Sequence, residues 1–186
     1  MIGYAMCGSF CTHAKSTEIL TSFAQNYDVL PILSFNAYTI NTRFGTSTDL
    51  VNKLESVCGK KVIATIEEAE TLGPKIKLDA LIIAPCTGNT LAKLAHGITD
   101  TPVTMAAKAH MRCNRPLIIA LATNDAMSSN LSNIGLLLNR KNVYFVPLVQ
   151  DEPVKKPHSL VADFDKLGEA FELAMKGEQL RPLFLE

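Results

Sequence analysis

The stretch Leu78-Asp79-Ala80-Leu81-Ile82-Ile83-Ala84-Pro85-Cys86-Thr87-Gly88-Asn89-Thr90-Leu91-Ala92-Lys93-Leu94-Ala95-His96-Gly97 decides the fold. It runs from a nearly continuous apolar segment, through a tip of small polar residues, into a short helical pattern over Thr90–His96 that Gly97 ends. An apolar run of this kind is a strand buried on both faces. Working outward, Met1–Cys7, Val29–Leu33, Lys61–Ala64, Leu117–Leu121 and Val143–Val146 read as further strands. His13–Tyr27, Thr48–Val57, Ile66–Leu72, Val103–Arg112, Ser128–Asn139 and Asp163–Met175 read as helices, with Gly73-Pro74 stopping the third of them. Strands alternating with helices predict an α/β chain of three layers around a doubly wound parallel sheet.

The 186 residues fit one domain over 1–186, with a Pro-rich stretch from Pro147 to Pro157 before the closing helix. Hydrophobic residues make up 47% and charged residues 19%, which excludes a disordered chain. Eight basic and eight acidic residues lie in 1–93, and ten of each in 94–186. So balanced a charge argues against nucleic acid or an anionic membrane as partner. No uninterrupted apolar run reaches the roughly 20 residues that cross a bilayer. The opening MIGYAMCGSF lacks the basic region of a secretory signal, so a cytoplasmic protein is expected.

Five cysteines, an odd number with no CxxC pair, predict neither a disulfide framework nor a metal site. They read as small hydrophobes in a reducing compartment.

In doubly wound sheets, ligands sit outside the carboxyl ends of the strands. Those ends carry Gly8-Ser9-Phe10-Cys11-Thr12-His13, Ser34-Phe35-Asn36, Pro85-Cys86-Thr87-Gly88-Asn89-Thr90 and Ala122-Thr123-Asn124-Asp125. Each tip alone reads equally well as capping of the next helix. The set, poor in charge and rich in hydroxyls and amides, points to an anion held by backbone N–H groups. No GxGxxG and no Walker lysine are present, which disfavours a dinucleotide or an ATP loop. A mononucleotide with one phosphate, such as FMN, fits better: Gly8 lets the backbone approach and Ser9 offers a hydroxyl. No catalytic acid or base declares itself, so the catalytic residues are unknown. His13 reads as within reach of a phosphate or as exposed, His96 as a helix-end residue, and His110 as solvated between Lys108 and Arg112. Lys108, Arg112 and Arg115 read as a solvated face or as an anion or subunit contact.

Pro85–Asp100 resembles the signature P-A-S-A-N-T-x-A-K-x-A-x-G-x-x-D of the FMN-binding flavoprotein family, which includes phosphopantothenoylcysteine decarboxylase, peptidyl-cysteine decarboxylases and flavin prenyltransferases. Cys7-Gly8-Ser9-Phe10 is similar to that family's T-G-S-[SG]-G phosphate loop, and Ser34 matches its serine after the second strand. The resemblance implies a flavodoxin-like, Rossmann-like fold and FMN as a possible cofactor. It implies a pocket lined by Gly8, Ser9, Phe10, Ser34, Pro85, Cys86, Thr87, Asn89, Thr90 and Asn124. The phosphate would sit on the first loop, with the ring near Pro85–Thr90 and Asn124.

Gly8–Thr12, Ala84–Thr90 and Ala122–Met127 resemble a branch of the family whose members serve in a two-chain, NADP-linked oxidoreductase that makes an aromatic dicarboxylate of spores. That likeness implies a separate partner chain carrying the NADP, and a homo-oligomer. An independent FMN-dependent decarboxylase and a non-catalytic binding subunit stay open as alternatives. The chain departs from the family's P-A-M-N-x-x-M-W segment, where Asn124 and Met127 match while Leu121 stands for the proline and Ser128 for the tryptophan. The family decarboxylases' histidine near the third strand has no counterpart in Val57–Thr65.

Overall fold

Five segments whose residues are apolar at nearly every position can be covered on both faces, and they form the centre of the sheet. The computed structural model describes residues 1–73 and 75–185. In it β1 (Ile2–Met6), β2 (Val29–Leu33), β3 (Ala80–Cys86), β4 (Leu117–Thr123) and β5 (Val143–Phe145) run parallel in the order β2-β1-β3-β4-β5. Every residue of these strands except Thr123 is buried. The ladder between β3 and β4 shifts register between Ile83 and Cys86. Pro85, which has no N–H to donate, lies in that interval.

The expected strand at Lys61–Ala64 shrinks to one bridge, Ile63 beside Ile32. Leu33 N–H donates to the Ile63 carbonyl and Ile63 N–H to the Pro31 carbonyl, both at 2.9 Å. The segment cannot lengthen, because Thr65 already caps the next helix in a reciprocal capping box with Glu68.

Among the described residues eight α-helices flank the sheet: α1 (His13–Asn26), α2 (Phe35–Thr39), α3 (Ser47–Cys58), α4 (Ile66–Glu70), α5 (Gly88–His96), α6 (Pro102–Met111), α7 (Leu131–Leu138) and α8 (Leu167–Ala174). The chain leaves β1 in one direction along the sheet and β3 in the other. Right-handed crossovers therefore place α1 on one face and α5 and α6 on the other. Phe171 of α8 meets Phe23 of α1 edge-on at 5.2 Å, so α8 joins the α1 face. The helix expected over Ser128–Asn139 begins at Leu131, because 124–130 form turns held by Asp125. The helix expected to end at Leu72 stops at Glu70, and its expected stop signal at Pro74 lies outside the described residues.

The sheet is not wholly parallel. The Pro-rich stretch folds back as a hairpin, with β6 (Leu148–Val149) and β7 (Leu160–Ala162) antiparallel. β7 pairs antiparallel with the carboxyl half of β4, Ala122 with Val161 and Thr123 with Leu160. β5 pairs with Leu117–Ile119 of the same strand. The outer flank of β4 is thus divided between two partners, and the sheet is mostly parallel but mixed.

His110 corrects an expectation. It is 1% exposed, and its Nε2–H donates to the Pro116 carbonyl at 2.9 Å. Val103, Ala106 and Ala107 precede it at helical spacing on the buried face of α6, which draws it inward despite its charged neighbours. Arg115 also turns in, donating to the Leu78 carbonyl. Among the described residues no helix is long and apolar enough to cross a membrane, and no cluster of metal-ligating side chains is present.

Candidate functional site at the strand ends

Because the crossovers on either side of β1 and β3 diverge, a crevice opens at the carboxyl ends of these two strands. Loop 8–12 and the start of α5 border it. A cavity of about 340 Å³ lies there, lined by Gly8, Ser9, Cys11, Thr12, Thr87, Ala122, Thr123, Asn124, Asp151, Lys156, Ser159 and Val161.

Its floor is built for an anion. Residues Phe10–Thr12 form one 3-10 turn that leads directly into α1. No side chain caps α1, and Thr12 instead donates its hydroxyl to the Ser9 carbonyl at 2.8 Å. Among the described residues, the N–H groups of Gly8, Phe10 and Cys11 meet no protein acceptor. Unpaired amides beside a helix N-terminus form a ready anion cradle. His13 supports the loop from below by donating Nε2–H to the Cys7 carbonyl at 2.7 Å. Burial holds its imidazole below the usual range, against the opposing pull of that carbonyl. The ring is a neutral prop, not a cation for the phosphate.

From Thr123 on the far wall a hydrogen-bonded chain runs away from the cavity. The Thr123 hydroxyl donates to Asp125 Oδ1 at 2.5 Å, and Asn130 Nδ2 donates to the same oxygen at 3.0 Å. Asn133 Nδ2 donates to Asn130 Oδ1 at 2.9 Å, and His96 Nε2–H to Asn133 Oδ1 at 3.1 Å. Gly88 makes room for this chain. A β-carbon there would meet Thr123 Oγ1, Asn130 Nδ2 and Asp125 Oδ1 within 2.6–2.7 Å. The roof is the hairpin. Asp151 accepts the Ser159 hydroxyl and a 3.1 Å contact from Lys156 Nζ, fixing the lysine at the cavity rim.

Of the ten predicted pocket residues, Gly8, Ser9, Thr87 and Asn124 line this cavity. Ser34 is buried, and its hydroxyl accepts the Ala37 N–H at 3.3 Å, capping α2. Thr87 likewise accepts the Thr90 N–H at 3.3 Å, so its hydroxyl is committed to capping α5. Pro85 and Cys86 are covered inside β3, Thr90 is buried, and Asn89 faces solvent. Burial pushes the Cys7 thiol up to about 11 and the Cys86 thiol well above its ordinary value, so neither is a nucleophile near neutrality. Cys11, Thr12 and Thr123 lie on the tips read from the sequence but outside the expected pocket set, and Asp151, Lys156 and Ser159 were not expected at all. Thr123 was visible as a strand-end hydroxyl, whereas nothing in the Pro147–Pro157 stretch signalled its return to the cleft.

Phe10 stands apart. It lines a neighbouring cavity of about 280 Å³ with His13, Ala37, Ile40 and Phe44. For a flavin mononucleotide the phosphate end of the cleft fits, since unpaired amides and the Ser9 hydroxyl surround it. Of the residues expected near the ring, Thr87 and Asn124 line the cleft, while Phe10 lies over Gly8.

The family model described as Flavoprotein matches residues 2–166. The chain belongs to the flavoprotein family. This flavoprotein is 44% identical over its full length to the B component of dipicolinate synthase from Bacillus subtilis (strain 168), covering 93% of that relative. The crystal structure of the dipicolinate synthase B component from Bacillus halodurans C superposes with a TM-score of 0.91 at 37% identity, covering 100% of this chain and 95% of the other. The FMN-dependent cysteine decarboxylase SpaF shares the fold, with a TM-score of 0.70 at 21% identity over 94% of each chain.

Proposed function

We propose that this flavoprotein is the B component of a dipicolinate synthase. The similarity that runs end to end, with no part of the chain left over, carries this reading. The reaction is the oxidation of dihydrodipicolinate to dipicolinate. A hydride passes to NADP, a proton is released, and the ring becomes aromatic. The A component of the synthase, a separate chain, holds the NADP. The absence of a dinucleotide fingerprint here supports that division of labour. The process serves spore formation in the cytoplasm, and the chain works as a homo-oligomer within one domain over 1–186.

The strand-end cleft is the ligand site. Gly8, Phe10 and Cys11 offer their amides, and Ser9 its hydroxyl, to a phosphate or carboxylate. The Thr123 hydroxyl donates its hydrogen bond to Asp125, so its oxygen presents lone pairs to a donor on the ligand. Lys156, fixed by Asp151, adds a cation at the rim. Among the described residues the carboxylate and the ammonium of the cleft, Asp151 and Lys156, are paired with each other at 3.1 Å, so the chain binds and orients while the hydride acceptor sits on the partner.

The test is the rate of dipicolinate formation by the purified A component with freshly generated dihydrodipicolinate and NADP, with and without this chain. A large increase on adding the chain is expected. No increase, with or without FMN, overturns the reading and turns attention to carbon dioxide release from carboxylic substrates by the chain alone.

A further inference from the structure

Two cavities border loop 8–13. Gly8 and Ser9 line the polar one and Phe10 the apolar one. The Phe10 side chain stands between Gly8 and the apolar cavity. A β-carbon on Gly8 would lie 3.6 Å from both Cε2 and Cζ of that ring and 3.3 Å from Asn36 Cβ. The ring is therefore laid over Gly8, on the side facing α2. It is held there by His13, whose imidazole centroid is 5.2 Å away. His13 is in turn fixed to the Cys7 carbonyl. The partition is anchored at both ends.

Volume gives this arrangement its consequence. The cavities, of about 340 and 280 Å³, stand one just inside and one just below the roughly 300–1,000 Å³ typical of small-molecule sites. A phosphate or a single-ring dicarboxylate fits in one compartment. A flavin mononucleotide, with phosphate, ribityl chain and three fused rings, is larger, and the apolar compartment beside Phe10 is the one that suits its flat ring. Its phosphate is served on the Gly8–Cys11 side, and its bulk has to cross the place where Phe10 lies.

We propose that Phe10 is the specificity-determining residue of the cleft: seated on Gly8, it favours small anions and admits a flavin mononucleotide only by turning aside. The cost of displacing the ring from Gly8 and His13 falls on the flavin alone. An anion small enough for the polar compartment leaves the ring untouched.

This inference rests on the reading of the strand-end cleft as the ligand site. Its test does not use the synthase reaction. FMN is titrated by flavin fluorescence, and inorganic phosphate by calorimetry, into the full chain and into Phe10→Ala, Phe10→Leu and Phe10→Tyr. Phe10→Ala should bind FMN at least about tenfold more tightly than the parent, the scale on which a change in pocket bulk discriminates between ligands. Phe10→Tyr should match the parent. Phosphate affinity should change less than about threefold in all three, well short of that scale. Equal or weaker FMN binding by Phe10→Ala, with phosphate binding kept, overturns the proposal. If Phe10→Ala fails to fold by thermal melt, Phe10→Leu carries the same comparison. A flavin gain without stimulation of the A component would sink the synthase reading and leave the gate. Stimulation without a flavin gain would do the reverse.

Discussion

The carboxylate of Asp125 occupies the space a side chain would need at Gly88: a β-carbon there would lie 2.7 Å from Oδ1. The signature that this stretch resembles has alanine at that place, so Gly88 and the Thr123–Asp125 pair belong together. Gly88→Ala forces a β-carbon into three polar atoms at once and should cost about 1–3 kcal/mol, as overpacking does. Thermal melts read this directly. Combining Gly88→Ala with Asp125→Ala should show coupling beyond about 0.5 kcal/mol. Simple additivity would mean that the two residues do not share the space.

Protonation should weaken the fold below neutrality. Burial lowers the pKa of both His13 and His110. At His110, Arg115 adds to the lowering, while the Pro116 carbonyl and Asp79 oppose it. A histidine in the unfolded chain titrates near 6.5. Just below that pH the unfolded chain binds more protons than the folded one, so stability rises with pH. The contribution is complete above about 6.5 and is lost as pH falls through the window beneath it. Melting temperature should fall between pH 7.5 and 5.5, and His110→Gln should show a shallower fall. A flat profile in the parent chain would contradict the burial argument.

Ser9→Glu places a carboxylate among the amides of loop 8–12. Like charges in a binding site cost several kcal/mol. Inorganic phosphate binding by calorimetry should drop at least about tenfold with the melting temperature unchanged to within a few degrees. Retained binding would move the anion site away from this loop.

Asp151→Asn keeps the shape of the roof but replaces one of the two acceptor oxygens shared by Ser159 and Lys156 and removes the charge that holds Lys156. Each lost hydrogen bond is worth about 1 kcal/mol. The loss should be confined to the hairpin, so hydrogen exchange should quicken across 150–159 while β1 and β3 stay protected. Uniform quickening across the sheet would show that the roof is integral to the core.

The parallel core was legible because its signal is redundant. Leu81–Ile83 and Ile118–Ala120 are apolar at consecutive positions, and only a strand covered on both faces asks for that. The short elements were not. α2 carries Phe35 and Tyr38 toward solvent, which hides its single buried residue, Ala37. Strands of only two and three residues, Leu148–Val149 and Leu160–Ala162, leave no period to detect in and just after Pro147–Pro157. His110 was misjudged through its neighbours Lys108 and Arg112, although Val103, Ala106 and Ala107 already marked its face. The cleft was legible where one tip forms one wall, as at Gly8 and Ser9. It was not legible where distant segments converge, as Thr123, Asp151 and Ser159 do. The hydroxyls of Ser34 and Thr87, expected to face a ligand, answer first to the open ends of their own helices.

The divided flank of β4 also sets an order of assembly during synthesis. Residues 1–146 contain every parallel strand and can pair as they leave the ribosome. The tip of β4 cannot, because its partner is Leu160–Ala162. Until that segment emerges, Ala122 and Thr123 have an open edge, and the cleft has a floor without a roof. Closure of the cleft therefore follows synthesis of all five parallel strands.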